Sequence, residues 1–473
     1  MKSNRRSFLK ISSLLGLGLS SFNFINGQAA KTLEKDLTRS QNYTRGDQHF
    51  NMCGYAAPKL ETVRIGFIGL GNRGPGAVVR MSKIQGVDIK GLCDLRPEKA
   101  NAAKELVANT THKPVVYTGN ENEWKKLCER PDIDLIYIAT PWHLHTPMAV
   151  YAMNQGKHVC VEVPAAKTIE ECWQLVETSE RTRKHCVILE NCCYDFFELL
   201  TLNMARQGYF GEIVHGEGAY IHDLLESNFS KTKYHNMWRL KENYRNGNLY
   251  PTHGLGPVAQ VMNINRGDKM DYLVSMASND FMMGPMAKEL AAKDDFYKPY
   301  ANKSYRGNMN TTTIRTAKGK TIMLQHDVTS PRPYSRIHLV SGTKGAALKY
   351  PLPGRIANGH EDWLTEEQFK SLEEKYQPVI VKKVGEMAKQ IGGHGGMDFL
   401  MDWRVIDCLR NGLPMDMDVY DAALWSAIAP LSEKSIASRS NSVTVPDFTA
   451  GSWKTNKPVD ILLQQGGNTK VIA

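Results

Sequence analysis

Val63-Arg64-Ile65-Gly66-Phe67-Ile68-Gly69-Leu70-Gly71-Asn72-Arg73-Gly74 is the stretch whose reading decides the fold. A short apolar strand runs into a Gly-x-Gly-x-x-Gly turn, and a helix is expected over 77–83. Glycine at 69 and 71 permits a tight turn and a close backbone approach to a pyrophosphate. The phosphates then meet the positive N-terminus of the helix, with Asn72 and Arg73 beside them. The next strand, expected over 88–93, ends in Asp94. A carboxylate there accepts hydrogen bonds from both ribose hydroxyls and repels a 2′-phosphate, which selects NAD over NADP. Arg96, two residues on, works against that preference.

The alternation of strand and helix continues. Residues 134–139 read as a buried parallel strand with Thr140-Pro141-Trp142-His143-Leu144-His145 at its carboxyl end, followed by a helix over 147–154. His158-Val159-Cys160-Val161-Glu162-Val163-Pro164 is another strand with its loop, then a helix over 169–182 and a strand over 187–191. Ligands of such sheets bind beyond the carboxyl ends of the strands. Gly71, Asp94, His143, His145, Glu162 and Asn191 all fall at those ends, which makes them candidate cofactor contacts.

From residue 191 the pattern changes. A helix over 196–207 precedes an alternating strand over 213–221, a hairpin over 311–326 and a strand over 336–341, with a helix over 397–409 near the end. Strands without intervening helices imply a mostly antiparallel sheet. Residues 294–305 and 353–362 read as loops. The fold class is therefore α/β: an N-terminal doubly wound parallel sheet of the Rossmann kind over 61–190, and a C-terminal α+β domain with a largely antiparallel open sheet over 191–473.

Composition narrows the partners. The net charge is +10, but residues 1–30 hold Lys2, Arg5, Arg6 and Lys10 without an acid. The surplus left on so long a chain, with no run of basic residues, gives no reason to expect nucleic acid. Those first 30 residues read as a twin-arginine export signal: Asn4-Arg5-Arg6-Ser7-Phe8-Leu9-Lys10, a short apolar stretch, then small residues. Residues 31–60 are a polar lead-in. The expected destination is the periplasm, reached through the twin-arginine machinery, which carries folded cargo. Nine cysteines lie without metal-ligand spacing, so mostly buried free thiols and no metal are expected.

Residues 63–190 resemble the glucose–fructose oxidoreductase/inositol dehydrogenase (Gfo/Idh/MocA) family through Gly69–Gly74, Asp94, Thr140–His145 and Glu162-Val163-Pro164. Two departures stand out. Val163 occupies the place of a lysine that assists proton transfer in family dehydrogenases, and Leu249 the place of an Asp four residues before a catalytic His253. They fit a branch similar to glycoside hydrolase family 109, the NAD-dependent α-N-acetylgalactosaminidases. Glu190-Asn191-Cys192-Cys193-Tyr194, Trp238-Arg239, Tyr250–Gly254 and Gly393-His394-Gly395-Gly396-Met397-Asp398 carry that likeness.

The resemblance implies a redox glycosidase. Hydride leaves the sugar C3 for NAD, a base removes the acidified C2 proton, the glycosidic oxygen is eliminated, and water and hydride then add back. NAD is regenerated in every turnover. It implies cofactor contacts at Gly69, Gly71, Asn72, Arg73, Gly74, Asp94, Trp142, His143, Leu144, His145, Glu162, Val163 and Asn191. His253 is the first candidate for acid/base work, and Glu162 either meets the nicotinamide end or acts as a base. Sugar contacts are expected from Tyr194, Tyr220, Arg239, Tyr250, Pro251, Thr252, His253 and Tyr334, with His394 as a further pocket residue. Tyr194, Tyr220 and Tyr334 fit a core position equally well. The expected partner is a glycan or glycoside, and the family pattern implies a homodimer through the open sheet. A net sugar or polyol dehydrogenase and a non-catalytic NAD- or sugar-binding protein are the competing readings.

Overall fold

Strand β1 (Val63–Ile68) lies in the middle of a six-stranded sheet. Its near-continuous burial suits a parallel sheet covered on both faces. A computed structural model describes residues 48–472, so the expected export signal over 1–30 and most of the expected polar lead-in fall outside the described residues. The strand order is β3 (Val115–Tyr117), β2 (Val87–Cys93), β1, β4 (Leu135–Ile138), β5 (His158–Val161) and β6 (Cys186–Ile188), with every pair parallel. The order reverses between β1 and β4. That reversal opens a crevice at the carboxyl ends of the strands, where Gly69, Thr140 and Glu162 begin their loops.

The helices follow local signals. The first spans Gly74–Met81, three residues earlier than the apolar spacing suggests, because Pro75 sits in its first turn where its missing N–H costs nothing. Ile169–Thr182 starts at Thr168, whose side chain accepts from the Glu171 N–H. The helix expected over 147–154 opens two residues earlier, spanning His145–Asn154.

The second half is built on an eight-stranded sheet whose centre is β7 (Ile213–Ile221), β10 (Thr321–Asp327), β9 (Asn310–Thr316) and β8 (Met270–Ala277). The full order is β13 (Arg355–Asn358), β12 (Gly345–Lys349), β11 (His338–Gly342), β7, β10, β9, β8 and β14 (Val443–Thr444). β9 and β10 form the expected hairpin; β10 runs parallel to β7 and the other neighbouring pairs are antiparallel, so the sheet is largely antiparallel, as expected. The segment 353–362, expected as a loop, contributes the outer strand β13 (Arg355–Asn358), which pairs with β12 (Gly345–Lys349).

The chain's division near residue 190 does not divide the core. The helix Met397–Asn411 returns to pack on Gly74–Met81 and β1. The helix Val419–Ala437 packs on Ile169–Thr182, β6 and β8, and one apolar core runs through both halves. Trp403 and Trp425 on these helices are fully buried. Truncating either to alanine should cost about 3–5 kcal/mol. This tie fixes the second half over the crevice of the first. The cysteines are free thiols, all buried except the half-buried Cys53. Among the described residues no helix is long and apolar enough to cross a membrane.

Candidate active site

The glycine turn has the shape a dinucleotide requires. Gly69 holds φ +93°, and a Cβ there would lie 2.5 Å from the Ala139 carbonyl oxygen. The β1 turn therefore lies directly on the β4 turn, and only glycine fits between them. A Cβ on Gly71 would meet no atom closer than the Arg96 guanidinium at 3.4 Å, so the backbone there stays open to a pyrophosphate. Asp94 is buried at the end of β2, where its Oδ2 accepts the Leu70 N–H at 2.8 Å. Its Oδ1 accepts the Arg96 N–H at 3.0 Å and Nε at 3.1 Å. The carboxylate is thus aimed along the edge of the turn, and the donor set fits an adenosine ribose and phosphates.

Next to the glycine turn lies an ion network that unites three strand-end residues, Arg73, Glu162 and Asn191, with the C-terminal half. Arg73 Nε stands 3.0 Å from Glu162 Oε1, and its guanidinium also donates to Asp398 Oδ2 at 3.2 Å. Asp398, which opens the helix Met397–Asn411, further accepts from the Asn191 amide and lies 3.6 Å from Arg80. His394 Nδ1 is 3.0 Å from the same carboxylate and 3.1 Å from Arg73. Burial would raise the Asp398 carboxyl. The His394 hydrogen bond and the Arg73 and Arg80 charges outweigh it and hold the group far below the usual carboxylate range. Arg73, Glu162 and Asn191 are therefore joined in one network with Asp398, which the sequence does not single out as a site residue, whereas the sequence sets Arg73 beside the phosphates.

The sugar side centres on His253, in the first turn of the helix Thr252–Val261. Gly254 faces Gly218 of β7, where side chains on either would collide, so the helix rests directly on the strand that carries Tyr220. The imidazole is set edge-on between Tyr220, 5.4 Å away, and Tyr250, 4.9 Å away. Its Nδ1 lies 2.8 and 2.9 Å from the two carboxylate oxygens of Glu190. Tyr250 stacks on Trp142 at 5.6 Å, which joins the loop after β4 to the loop before the helix. Arg239 lies over the rings of Trp142, Tyr234 and Tyr250 at 5.4–5.5 Å. Burial pushes the Tyr250 phenol well up, so it remains a hydrogen-bond donor. Tyr334 stands at the rim with Tyr220 6.4 Å away.

Other expected site residues take different places. Tyr194 is fully buried, and its hydroxyl donates to Asp416 Oδ2 at 3.0 Å, which Arg404 Nε also contacts at 3.0 Å. It fills the core and does not join the sugar side. His145 is buried with both ring nitrogens 2.7 Å from backbone carbonyls, of Pro164 and Thr140. It braces the loops after β4 and β5 rather than presenting a ring nitrogen to a cofactor. Asn72 and His143 are exposed, Val163, Pro251 and Thr252 are buried, and Leu144 is half-buried.

Glu190, Cys192 and His253 each bring a potential ligand atom within 4.8 Å of the others. Within the trio the imidazole hydrogen-bonds the Glu190 carboxylate, and burial pushes the Cys192 thiol up.

Residues 194–455 match a family model described as glycosyl hydrolase 109, C-terminal domain, and residues 63–190 one described as oxidoreductase family, NAD-binding Rossmann fold. A glycosyl hydrolase family 109 protein 1 of Bacteroides fragilis is 48% identical over 461 residues, which span 94% of this chain and 97% of that relative. An alpha-N-acetylgalactosaminidase of Bacteroides fragilis is 50% identical over 411 residues, spanning 85% of this chain and 96% of that protein. Among solved structures, a levoglucosan dehydrogenase in complex with NADH superposes with a TM-score of 0.60 at 18% identity, covering 82% of this chain and 100% of its own. That likeness is one of fold.

Proposed function

The chain belongs to glycosyl hydrolase family 109, and from that premise we propose that it removes terminal α-N-acetylgalactosamine from glycans, with NAD as a resident cofactor returned to its starting state in each turnover. The observation that carries the reading is the Trp142–Tyr250 stack beside His253. The stack supports the reading because it joins the loop at the carboxyl end of β4 to the loop that leads to His253, the candidate acid/base residue.

Direct displacement at a glycosidic bond uses two carboxyl groups that flank it. The carboxylates of this site are committed elsewhere: Glu162 to Arg73, Glu190 to His253, and Asp398 to Arg73, Arg80 and His394. When bound, NAD supplies the oxidation at the sugar C3 that makes the neighbouring C–H acidic, and reverses it at the end. The remaining work falls to the chain. The backbone at Gly69–Gly74 and the Asp94 carboxylate hold the dinucleotide, while Glu162 and Asn191 line its reactive end. Arg239 and the faces of Trp142 and Tyr250 orient the sugar and its acetamido group. His253 accepts and returns the substrate proton at Nε2.

Two further elements belong to the same proposal. The protein is exported folded, with its cofactor in place, to the periplasm. The open face of β8, with Tyr272, Val274 and Met276 exposed, supports association as a homodimer.

The test is hydrolysis of an aryl α-N-acetylgalactosaminide in deuterium oxide. Deuterium at C2 of the released sugar is expected, without accumulation of NADH. Hydrolysis that leaves C2 unlabelled would overturn the proposal, and stoichiometric NADH would mark a net dehydrogenase.

A further inference from the structure

Resting on the reading that His253 exchanges a proton with the sugar, we propose that Glu190 is its positioning residue: a buried carboxylate at the end of β6 that holds Nδ1–H and so leaves Nε2 as the exchanging atom.

The geometry assigns this role to Glu190 specifically. Its carboxylate is fully buried, and both oxygens lie within 2.9 Å of His253 Nδ1. One of them also accepts the Cys192 N–H at 3.1 Å, which fixes the carboxylate from the β6 side. Among the described residues, His253 makes no hydrogen bond through Nε2, and Glu190 is the one side chain that its ring hydrogen-bonds. Four residues before it, in the loop that leads into the helix, stands the buried Leu249, which offers the ring no carboxylate. The helix instead makes room for a carboxylate from elsewhere. A Cβ on Gly256 would come within 2.9 Å of Glu190 Cγ and 3.0 Å of Cys193 Sγ, so this glycine lets β6 approach the His253 helix.

The surroundings leave Glu190 as the charge that acts on the ring. The titratable groups facing the pair are Cys192 and Cys193 from the turn after β6, Tyr220 and His222 at the end of β7, and Tyr250 from the loop before the helix. Burial keeps both thiols and both phenols protonated and favours neutral His222. The cation Arg239 lies beyond, over the Tyr250 ring. Burial opposes ionisation of Glu190, yet the His253 contact holds its carboxyl below the usual range, so it is a carboxylate at working pH. A carboxylate on Nδ1–H fixes the tautomer and stabilises the imidazolium formed once Nε2 has taken a proton.

The experiment compares wild type, Glu190→Gln and Glu190→Asp, each loaded with NAD. Glutamine keeps the volume but removes the charge, and its amide can turn the ring to the other tautomer. Glu190→Gln should lower kcat by about 10²–10⁴. KM should stay within a few-fold, bound NAD should be unchanged, and the acidic limb of the kcat/KM profile should move to lower pH. Glu190→Asp should recover part of kcat and keep the wild-type limb. A Glu190→Gln enzyme with wild-type kcat and profile would overturn the role, as would a loss that only tracks lost NAD or lost folded protein.

If the glutamine variant does not fold, ¹⁵N-histidine NMR of the wild type decides, with the His253 signal assigned from a His253→Asn sample. Neutral His253 protonated at Nδ1 is expected, and protonation at Nε2 contradicts the proposal. Absence of C2 exchange in the wild type, by contrast, would sink the redox-glycosidase reading, while the NMR result would still report on the Glu190–His253 pair.

Discussion

Asp398→Asn tests whether the ion network joining the two halves carries stability. Asp398 is 1% exposed and lies between the guanidinium groups of Arg73 and Arg80, at 3.2 and 3.6 Å. Removing one partner from a buried ion pair costs about 3–5 kcal/mol, because the charge left behind is desolvated. Here Arg80 keeps Asp402 at 2.7 Å and Arg73 keeps Glu162 at 3.0 Å, and the Arg73 side chain is 32% exposed. Both arginines thus retain a carboxylate, which places the cost at the lower end, about 3 kcal/mol. With an unfolding entropy of ~2.1 cal/mol/K per residue over roughly 400 residues, that is a fall in Tm of about 3–4 °C at pH 7 with saturating NAD.

The pH dependence has a definite sign. The folded carboxyl titrates far below its unfolded value of about 3.9, so its contribution is present above that pH and fades as pH falls below it. Differential scanning calorimetry of both proteins should show a constant gap between pH 5 and 8, and a narrower gap at pH 3.5. Equal Tm values at pH 7, or a gap that widens on acidification, would refute the reasoning.

Three other substitutions separate chemistry from structure. His253→Ala should lower kcat by about 10²–10⁴ while leaving NAD bound, checked by kinetics and by nicotinamide released on denaturation. Tyr194→Phe removes a buried hydroxyl from Asp416, so chemical denaturation should report a loss of about 1–3 kcal/mol with kcat unchanged. A fall in kcat without a loss of stability would return Tyr194 to the sugar site. Gly69→Ala combines a positive φ with a Cβ 2.5 Å from the Ala139 carbonyl, and should cost about 2 kcal/mol. Its NAD affinity, measured by titration calorimetry, should weaken by at least ~10-fold, since the turn that approaches the pyrophosphate cannot keep its shape.

The first half of the fold is legible because its signals are local: the β1 run, the glycine turn and the Asp94 strand end lie within some thirty residues. Elements without such signals escape. β3 is three residues long and partly exposed, and β13 is a four-residue outer strand among loop-forming residues. The helix Val419–Ala437 is buried on nearly every side, so its sequence shows no apolar stripe to count. The site divides the same way. His253, Tyr250 and Arg239 sit in recognisable motifs, whereas the roles of Asp398 and Glu190 depend on partners 325 and 63 residues away. Tyr194 shows the converse error. It lies in a motif beside the site, but its side chain turns to Asp416 and Arg404 in the core, and no pattern within a single strand end reveals that direction.

The central claim is that cleavage of a glycoside here depends on a nicotinamide that is used but not consumed. The most direct measurement strips NAD from the purified protein and follows hydrolysis of an aryl α-N-acetylgalactosaminide before removal, after removal and after adding NAD back. Activity lost with the cofactor, and restored by an amount of NAD near one per chain that survives many turnovers, is the predicted result. Undiminished hydrolysis by nicotinamide-free protein would contradict it.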